Sequence, residues 1–358
     1  MIICFECSRE TKQQLDELVS KGGFSDLTEA IAIAVANQAL LSKSGAGSPL
    51  VLGSTANDRP LDAMSEGDPT SRQPLIPSPR LSSIFRIKAN QRTEPIAPFP
   101  QPPHGFSKQD QVSQAHWIFG QHNKLLPVKA SCRAIASLLG EAPAGVEAGD
   151  AARLVANEAG ELGVYLHAID KKFNRQRDDA LSTAFPGRHD PDKGRIRYAN
   201  QFVVGTTKQG QLTGLLVDLG LINKLSRESL KVALTDAGWK FALMPNPVLD
   251  GQDENPATKL SSEECVFLEG HIASNVAVER SAYLQILRAI HSGYDNPEKL
   301  RAAFNDVEKE TAKNKLYFST QRAGAISRMA DLGLLRRDRN GTRVSYVITD
   351  DGAEFLNK

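Results

Sequence analysis

Two cysteines near the start of the chain have the spacing that metal and redox sites use. Cys4 and Cys7 stand in the stretch MIICFECSRE. A zinc site of this kind needs a second pair of ligands, and a redox pair belongs at the start of a helix in a thioredoxin-like setting. Neither accompanies this pair, and residues 2–7 alternate like a strand, which turns side chains three residues apart to opposite faces. Cys7 is therefore predicted to face inward and Cys4 outward, both in structural roles.

The other residue types that support catalysis do not cluster along the chain. The seven histidines are scattered, and the acidic pairs Asp178-Asp179 and Glu263-Glu264 are interpreted as solvated carboxylates. Neither a phosphate-binding glycine loop nor a nucleophile elbow is present in the sequence. We therefore expect no catalytic residues, no metal and no cofactor, and an enzyme is the class of protein least expected.

Basic residues, by contrast, concentrate in two stretches. Between Lys313 and Ser345 there are eight Lys or Arg against two Asp, a net charge of +6. Between Lys171 and Lys231 there are twelve Lys or Arg against six Asp or Glu, again +6. Concentrated positive charge is what contact with phosphates and release of counterions require. The sequence therefore predicts double-stranded DNA as a partner.

The overall composition fits a protein of two or three domains in water. The chain has 358 residues, of which 41% are hydrophobic and 24% charged. No apolar run approaches the roughly 20 residues that a membrane span needs, and the start of the chain lacks the features of a secretory signal. We expect a cytoplasmic protein associated with the nucleoid and not with a membrane.

Residues 44–106 differ from the rest of the chain in composition. Eleven of the 19 prolines lie between Pro49 and Pro103, among Ser, Gly and Thr. Such a segment cannot bury enough apolar surface to offset its ordering entropy, so it is predicted to be a disordered, flexible linker. Within it, the apolar and basic stretch Leu81–Lys88 is either a docking peptide or a briefly ordered part of the linker.

The segment after the linker contains an internal repeat. Four pairs of stretches keep the same order at offsets of 113 to 119 residues: Val164–Leu166 with Ala282–Leu284, Leu181–Phe185 with Leu300–Phe304, Leu215–Ile222 with Arg328–Leu335, and Leu234–Phe241 with Ile348–Phe355. We infer one fold present twice, over residues 148–250 and 259–358. Residues 107–147 are then a helical buttress outside the repeat.

The second copy shows clear signals for its elements. Apolar spacing predicts a helix over Glu279–Ile290, and Asn296-Pro297-Glu298 starts a short second helix. A third helix, capped by Ser319 or Thr320, runs to Asp331 and is closed by Gly333. Asn340-Gly341 then predicts a hairpin turn between two strands, and a terminal helix follows.

Two stretches of this copy, Ser327–Asp338 and Tyr346–Gly352, resemble the third helix and wing of winged helix-turn-helix domains in bacterial and archaeal transcription regulators. The resemblance implies a third helix in the major groove and a wing on phosphates or the minor groove. The first copy lacks the Asn-Gly turn and has fewer arginines in its wing. The candidate DNA-binding residues are, in the second copy, Arg322, Ser327, Arg328, Arg336, Arg337, Arg339 and Arg343, and in the first copy Lys208, Arg195, Arg197 and Arg227.

The first 43 residues resemble a third kind of unit. Strand-like residues 2–7, the stretch Leu15-Asp-Glu-Leu18 and the stretch Gly23–Ile31 are similar to the ribbon-helix-helix family, whose members are obligate dimers. The residues implied at the dimer interface are Ile3, Phe5, Cys7, Leu15, Leu18, Leu27 and Ile31. The outward strand residues Ile2, Cys4 and Glu6 lack the usual base-reading groups, and residues 1–43 carry a net charge of −2. We therefore expect this head to dimerise the protein rather than read DNA.

Together these features predict a mainly α protein with small β elements (α+β): a ribbon-helix-helix head over 1–43, a disordered linker over 44–106 and a duplicated winged-helix body. The expected function is that of a homodimeric, DNA-binding transcriptional regulator. A plasmid or phage replication or partition protein, and a non-catalytic subunit of a larger nucleoprotein assembly such as a defence system, remain alternatives. The last of these would add other protein subunits as partners.

Overall fold

The computed structural model describes residues 81–86, 111–187, 190–251, 254–304, 312–341 and 343–357, with the backbone alone for 312–316. All of them belong to one unit, Ile76–Lys358. The predicted ribbon-helix-helix head, with its seven interface residues, and most of the predicted linker lie outside the described residues. The described chain is mainly helical with small antiparallel sheets, which confirms the α+β class.

The first half of the described chain builds five helices around a small sheet. Its elements in chain order are α1 (Leu126–Glu141), β1 (Val146–Glu147), α2 (Ala148–Lys172), α3 (Pro191–Tyr198), which continues into a π-helical turn (Ala199–Val203), β2 (Gly205–Thr206), β3 (Leu212–Thr213), α4 (Leu215–Asp218), β4 (Ile222–Lys224), β5 (Lys231–Leu234) and α5 (Asp236–Leu243). Local sequence explains several starts: Asp190 caps α3, whose first residue is Pro191, and Thr235 caps α5.

The main sheet of this half has the strand order β1–β5–β4, all antiparallel. Val146 pairs with Val232, and Ile222 pairs with Leu234. Since β1 pairs with β5, residues 146–147 belong to the same sheet as the strands near residue 230. The predicted boundary at 148, which assigns 107–147 to a separate buttress, therefore separates a strand from its partner.

The second half has a similar order of elements. They are α6 (Ser262–Asn275), α7 (Ala277–His291), α8 (Pro297–Ala303), α9 (Ala312–Asp331), β6 (Leu335–Asn340), β7 (Arg343–Ile348) and α10 (Asp350–Leu356). A capping box between Ser261 and Glu264 starts α6, and Asn296 caps α8 as its sequence predicts. Gly333 and Gly341 have φ of 80° and 63°, which suits glycine at a helix end and at a hairpin turn.

The two halves share a plan at their sheets. In the second half, the backbone N–H of Tyr346 in β7 donates to the carbonyl of Asp295, which lies between α7 and α8. This bond occupies the place that the β1–β5 pairing has in the first half. In each half the helix before that contact packs on the helix after the hairpin: Lys129 lies over the Phe241 ring, and Tyr283 contacts Phe355.

One continuous apolar core runs through both halves. A segment that we name the strap, residues 111–125, connects them on the outside of α9. Its Trp117 is buried against Phe304, and its Val112 accepts a hydrogen bond from the Trp117 indole N–H at 3.0 Å. His122 of the strap contacts Asp218 of α4 at 2.8 Å, so the strap reaches both halves.

A short part of the predicted linker also packs on this body. Residues 81–86 lie against α1, with Phe85 fully buried and Leu81 nearly so. The Arg133 guanidinium of α1 donates to the Phe85 carbonyl and forms a two-pronged contact with Asp250. The prediction of a flexible tether does not hold for these six residues, because their apolar side chains pack against α1.

Candidate nucleic-acid interface

The face of α9 that was predicted to read DNA is buried inside the protein. Arg322, Ser327 and Arg328 retain 5%, 5% and 0% of their accessible surface. The prediction that these three side chains face solvent is therefore wrong. Apolar spacing identified the inner face of α9 correctly, with Ala325, Ile326 and Met329 buried, but it carried no information about what covers the outer face.

Arg328 is held by a buried carboxylate from another helix. Its guanidinium forms two hydrogen bonds, of 2.6 and 2.9 Å, with the Glu279 carboxylate of α7 and donates a third to the carbonyl of His122. Burial disfavours the charge of the Arg328 guanidinium, but the Glu279 carboxylate and the Tyr283 hydroxyl together outweigh that effect and raise the pKa of Arg328. All the donors that a base edge or phosphate would need are thus turned inward.

Arg322 has a similar internal role. It donates to the Gln114 side-chain oxygen at 2.9 Å, and its guanidinium lies 5.6 Å from the centre of the Phe304 ring. A guanidinium stacked on an aromatic ring and bonded to an amide is satisfied without DNA. Arg322 therefore joins the strap to α8 and α9.

The strap lies directly on the outer face of α9. Gln321 donates to the Trp117 carbonyl at 3.0 Å and accepts from the Gly120 N–H. Gly120 and Gly324 allow the two backbones to touch, since a Cβ at Gly324 would lie 2.5 Å from the Gly120 oxygen. The Asp331 carboxylate then accepts from the backbone N–H of Leu125 at 3.0 Å. A duplex has no access to this part of α9.

The hairpin β6–β7 is the basic element that stays at the surface. In its register Arg336 pairs with Val347 and Asn340 with Arg343, which places Arg336, Asp338 and Arg343 on one face. We name this the outer face of the wing. Arg336 and Arg343 are exposed there, and Arg336 contacts Asp338 at 2.7 Å. The Arg336 hydrogen bond lowers the pKa of Asp338.

The other face of the same hairpin is tied to the body. Arg337 and Arg339 alternate with the outer residues and both reach Asp178, at 3.4 and 2.5 Å. The hydrogen bond from Arg339 holds the pKa of the Asp178 carboxyl below its usual range. The prediction of Asp178 as a merely solvated carboxylate is wrong. No local signal could have shown this pairing, because the partners are 159 and 161 residues apart.

The predicted basic residues of the first half lie on three separate elements. Arg195 and Arg197 are on α3, where Arg195 is half-buried near Asp192 and Arg197 is exposed. Lys208 is exposed between β2 and β3, and Arg227 is exposed between β4 and β5. A Cβ at Gly210 would lie 4.0 Å from the Lys224 ammonium, so the β2–β3 hairpin lies beside β4.

Among the described residues no group of three or more His, Cys, Asp or Glu is placed to hold a metal ion. Within the same part of the chain, every helix is too short or too polar to cross a bilayer.

Comparison of the chain with protein-family models, with curated proteins and with solved structures gave no match. The likeness to winged helices therefore rests on the sequence stretches and the order of elements described above.

Proposed function

We propose that this protein is a transcriptional regulator that contacts double-stranded DNA through the outer face of its wing and dimerises through residues 1–43. The single observation that carries the DNA contact is the exposed pair Arg336 and Arg343 on one face of the hairpin, with Arg343 next to the turn and Arg336 near the hairpin base. Two arginines spaced along one face of a hairpin can contact separate phosphates, and the one next to the turn can enter a narrow minor groove.

The arrangement of elements supports a winged-helix assignment for both halves. In the first half, the short helix α4 is followed along the chain by the hairpin strands β4 and β5. The earlier strand β1 pairs with β5, which gives the sheet order β1–β5–β4. In the second half a long helix leads into the hairpin β6–β7, and Asp295 replaces the earlier strand. Helix, strand, helices, hairpin and helix is the order of a winged helix-turn-helix domain.

The covered α9 changes how such a domain would use DNA. With Arg322, Ser327 and Arg328 turned inward, the groove-reading part of the interface is lost over the second half of α9. The contact proposed here is consequently dominated by phosphates and by the shape of the minor groove, so its affinity depends strongly on salt.

Fluorescence anisotropy with a labelled duplex at about 50–100 mM salt, where phosphate contacts are strong, tests the proposal. The double variant Arg336→Ala, Arg343→Ala should bind about tenfold more weakly, and its salt slope should fall by about 2, which is 0.9 for each lost phosphate contact. The double variant Arg153→Ala, Arg288→Ala is the matched control, because it removes the same charge from exposed positions on α2 and α7. If both double variants lose the same DNA affinity, the loss comes from net charge and not from a contact made by the wing.

The substitution Asp178→Asn adds a test in the opposite direction. It releases Arg337 and Arg339 from a competing carboxylate, so DNA should bind more tightly and with a steeper salt slope. Weaker binding in this variant would mean that the wing acts only in the orientation that Asp178 gives it.

A second function is favoured by the burial of α9. A winged helix whose third helix is covered by its own chain is suited to hold protein surfaces together, as a subunit of a larger nucleoprotein assembly. If the purified full chain fails to retard any duplex at about 50 mM salt, this second function replaces the first. If it binds, footprinting separates a regulator from a replication or partition protein, since the former protects a single palindrome and the latter an array of direct repeats.

A further inference from the structure

A cleft of about 670 Å³ opens between α3 with its π-helical turn and the part of α9 that the strap leaves uncovered. The strap residues Gly120, Gln121 and Asn123 close one side of it. Its volume lies within the range of small-molecule sites in proteins, roughly 300–1,000 Å³. It is too small to admit a DNA duplex.

The cleft is open because the two facing helices carry short side chains there. Ser319, Ala323 and Gly324 line it from α9, and Gly194 lines it from α3. Ser319 and Ala323 are exposed, whereas Thr320 is half-buried and Gly324 is buried. The π-helical turn shifts the register of the helix opposite, a device that is frequent at functional sites.

The cleft wall formed by residues 183–187 is fixed through the two residues that precede it. The Asp170 carboxylate accepts hydrogen bonds from the backbone N–H groups of Leu181 and Ser182, at 2.8 and 2.9 Å, and from the Ser182 hydroxyl at 2.7 Å. The next turn places Ala184 at a φ of 74°, which is unusual for a residue with a side chain. A wall fixed in this way is preorganised for a ligand.

Aromatic rings support the apolar side of the cleft. Phe185 stacks on Tyr198 and Tyr198 packs on Phe202, each pair with ring centres 5.6 Å apart. The polar side carries amides: Gln201 donates to Gln121 at 2.8 Å across the cleft, and Asn123 lies nearby. This combination of an apolar wall and a few directed polar groups suits a ligand with one flat apolar part.

The cleft carries one cationic group that an anionic ligand could pair with. Of the described residues that line it, Arg197 is the only cation, and it is exposed. The one carboxylate, Asp190, already contacts the Lys193 ammonium at 3.1 Å and accepts from the Lys193 N–H at 3.2 Å. A carboxylate or phosphate on the ligand would give the Arg197 guanidinium the two-pronged partner that its shape favours.

We propose that this cleft binds a small amphipathic anion, with a flat apolar body and one carboxylate or phosphate that pairs with Arg197. The cleft and the wing share no residues, so the inference does not depend on the proposed DNA contact.

Calorimetric titration of the full-length protein with indole-3-carboxylate and with phenyl phosphate tests the inference, with neutral indole-3-carboxamide as the matched compound. For probes of this size we expect dissociation constants of roughly 0.1–1 mM. Arg197→Ala should weaken the binding of the anions by about tenfold or more and leave the amide unchanged. Ala323→Leu, which fills the cleft from a helix position that tolerates leucine, should weaken all the probes.

Lys208→Ala is the matched control, because Lys208 is an exposed cation that does not line the cleft. It should leave the affinity for both anions unchanged. The inference is overturned if neither anion binds at about 1 mM, if the amide binds as tightly as the carboxylate, or if Arg197→Ala and Lys208→Ala have equal effects.

Discussion

Two arginines that lie close together in the sequence, Arg328 and Arg336, have opposite environments in the folded protein. Arg328 lies entirely inside, bonded to Glu279, whereas Arg336 eight residues later is exposed and contacts its own strand through Asp338. A buried charge is tolerated only with a close partner, and an exposed ion pair contributes little to stability. The two residues should consequently respond very differently to substitution.

Arg328→Ala should lower the free energy of unfolding by about 3–5 kcal/mol, because it leaves the Glu279 carboxylate buried without its partner. Urea unfolding followed by circular dichroism measures the loss. The matched variant Arg336→Ala should unfold like the parent protein. The double variant Arg328→Met, Glu279→Leu should recover much of the loss, since it removes both buried charges. If the double variant were as unstable as Arg328→Ala, the unpaired carboxylate would not be the cause.

The buried thiol of Cys132 is expected to make the stability of the protein fall as pH rises. Burial raises the pKa of its thiol to about 12, from the ordinary value near 9. Above about pH 9 the unfolded chain loses this proton and the folded protein keeps it, so stability is lost as pH rises, by up to about 1.4 kcal/mol per pH unit.

Unfolding free energies of the parent and of Cys132→Ala at several pH values between 8 and about 10.5 measure this linkage. The variant should lose stability less steeply above pH 9. Only the slopes of unfolding free energy against pH are compared, because the cavity left by the sulfur lowers the unfolding free energy of the variant at every pH. Parallel curves would show that the Cys132 thiol ionises as readily in the folded protein as in the unfolded chain.

At the scale of elements, the contact between the strap and α9 decides what α9 can do. It depends on two glycines, since Gly120 and Gly324 let the backbones approach more closely than a Cβ permits. Gln321 then adds hydrogen bonds in both directions. The strap is therefore built into the packing of α9 and is not a loosely attached cover.

Gly324→Ala should lower the free energy of unfolding by about 1–3 kcal/mol, because the new methyl group overlaps the Gly120 carbonyl and separates the strap from α9. Gly270→Ala is the matched control within α6, where a Cβ has no neighbour within 4 Å. It should stabilise the protein by about 0.5–1 kcal/mol through helix propensity. Thermal unfolding of both variants measures the difference. A stabilising Gly324→Ala would contradict the close approach.

The sequence predicted the elements of the second half well but not their surroundings. Asn296-Pro297 and Gly333 mark local backbone geometry, and each lies where its signal indicated. The hairpin loop begins one residue later than predicted, at Gly341, because Asn340 still pairs with Arg343. The start of α9 was misplaced, because Ser319 and Thr320 resemble caps but lie within a helix that begins at Ala312. The environment of Arg328 could not be predicted, since it depends on Glu279 and on His122, 49 and 206 residues away.

At the scale of the whole molecule, the two halves behave as parts of one body. The apolar core is continuous, and the strap bonds to α4, α7 and α9. Lys129 of α1 also forms a fully buried ion pair with Glu264 of α6 at 2.7 Å, so the interpretation of Glu264 as a solvated carboxylate is wrong. Neither half is expected to fold alone, although the repeated sequence stretches suggest two separate domains.

The peptide 81–86 extends this body toward the start of the chain. A protein that begins at residue 76 keeps the buried Phe85 and Leu81 side chains, whereas one that begins at residue 111 loses them and leaves Arg133 without the Phe85 carbonyl. Burial of such an aromatic side chain contributes about 1.5–3 kcal/mol. The longer protein should therefore be more stable by about 2 kcal/mol. In the full chain, Phe85→Ala should be destabilising and the exposed neighbour Ser83→Ala should not.

These shortened proteins also separate folding from dimerisation. Both lack residues 1–43, to which the dimer interface is assigned, so both should be monomers by sedimentation equilibrium while the full chain is a dimer. Urea unfolding of the same samples measures the contribution of residues 81–86 without any change in association. A dimer that persists in the protein beginning at residue 76 would move the interface into the body, and equal stability of the two would show that Phe85 is dispensable. Because each measurement concerns a different segment, sedimentation can refute dimerisation through residues 1–43 without affecting the conclusion on the packing of Phe85.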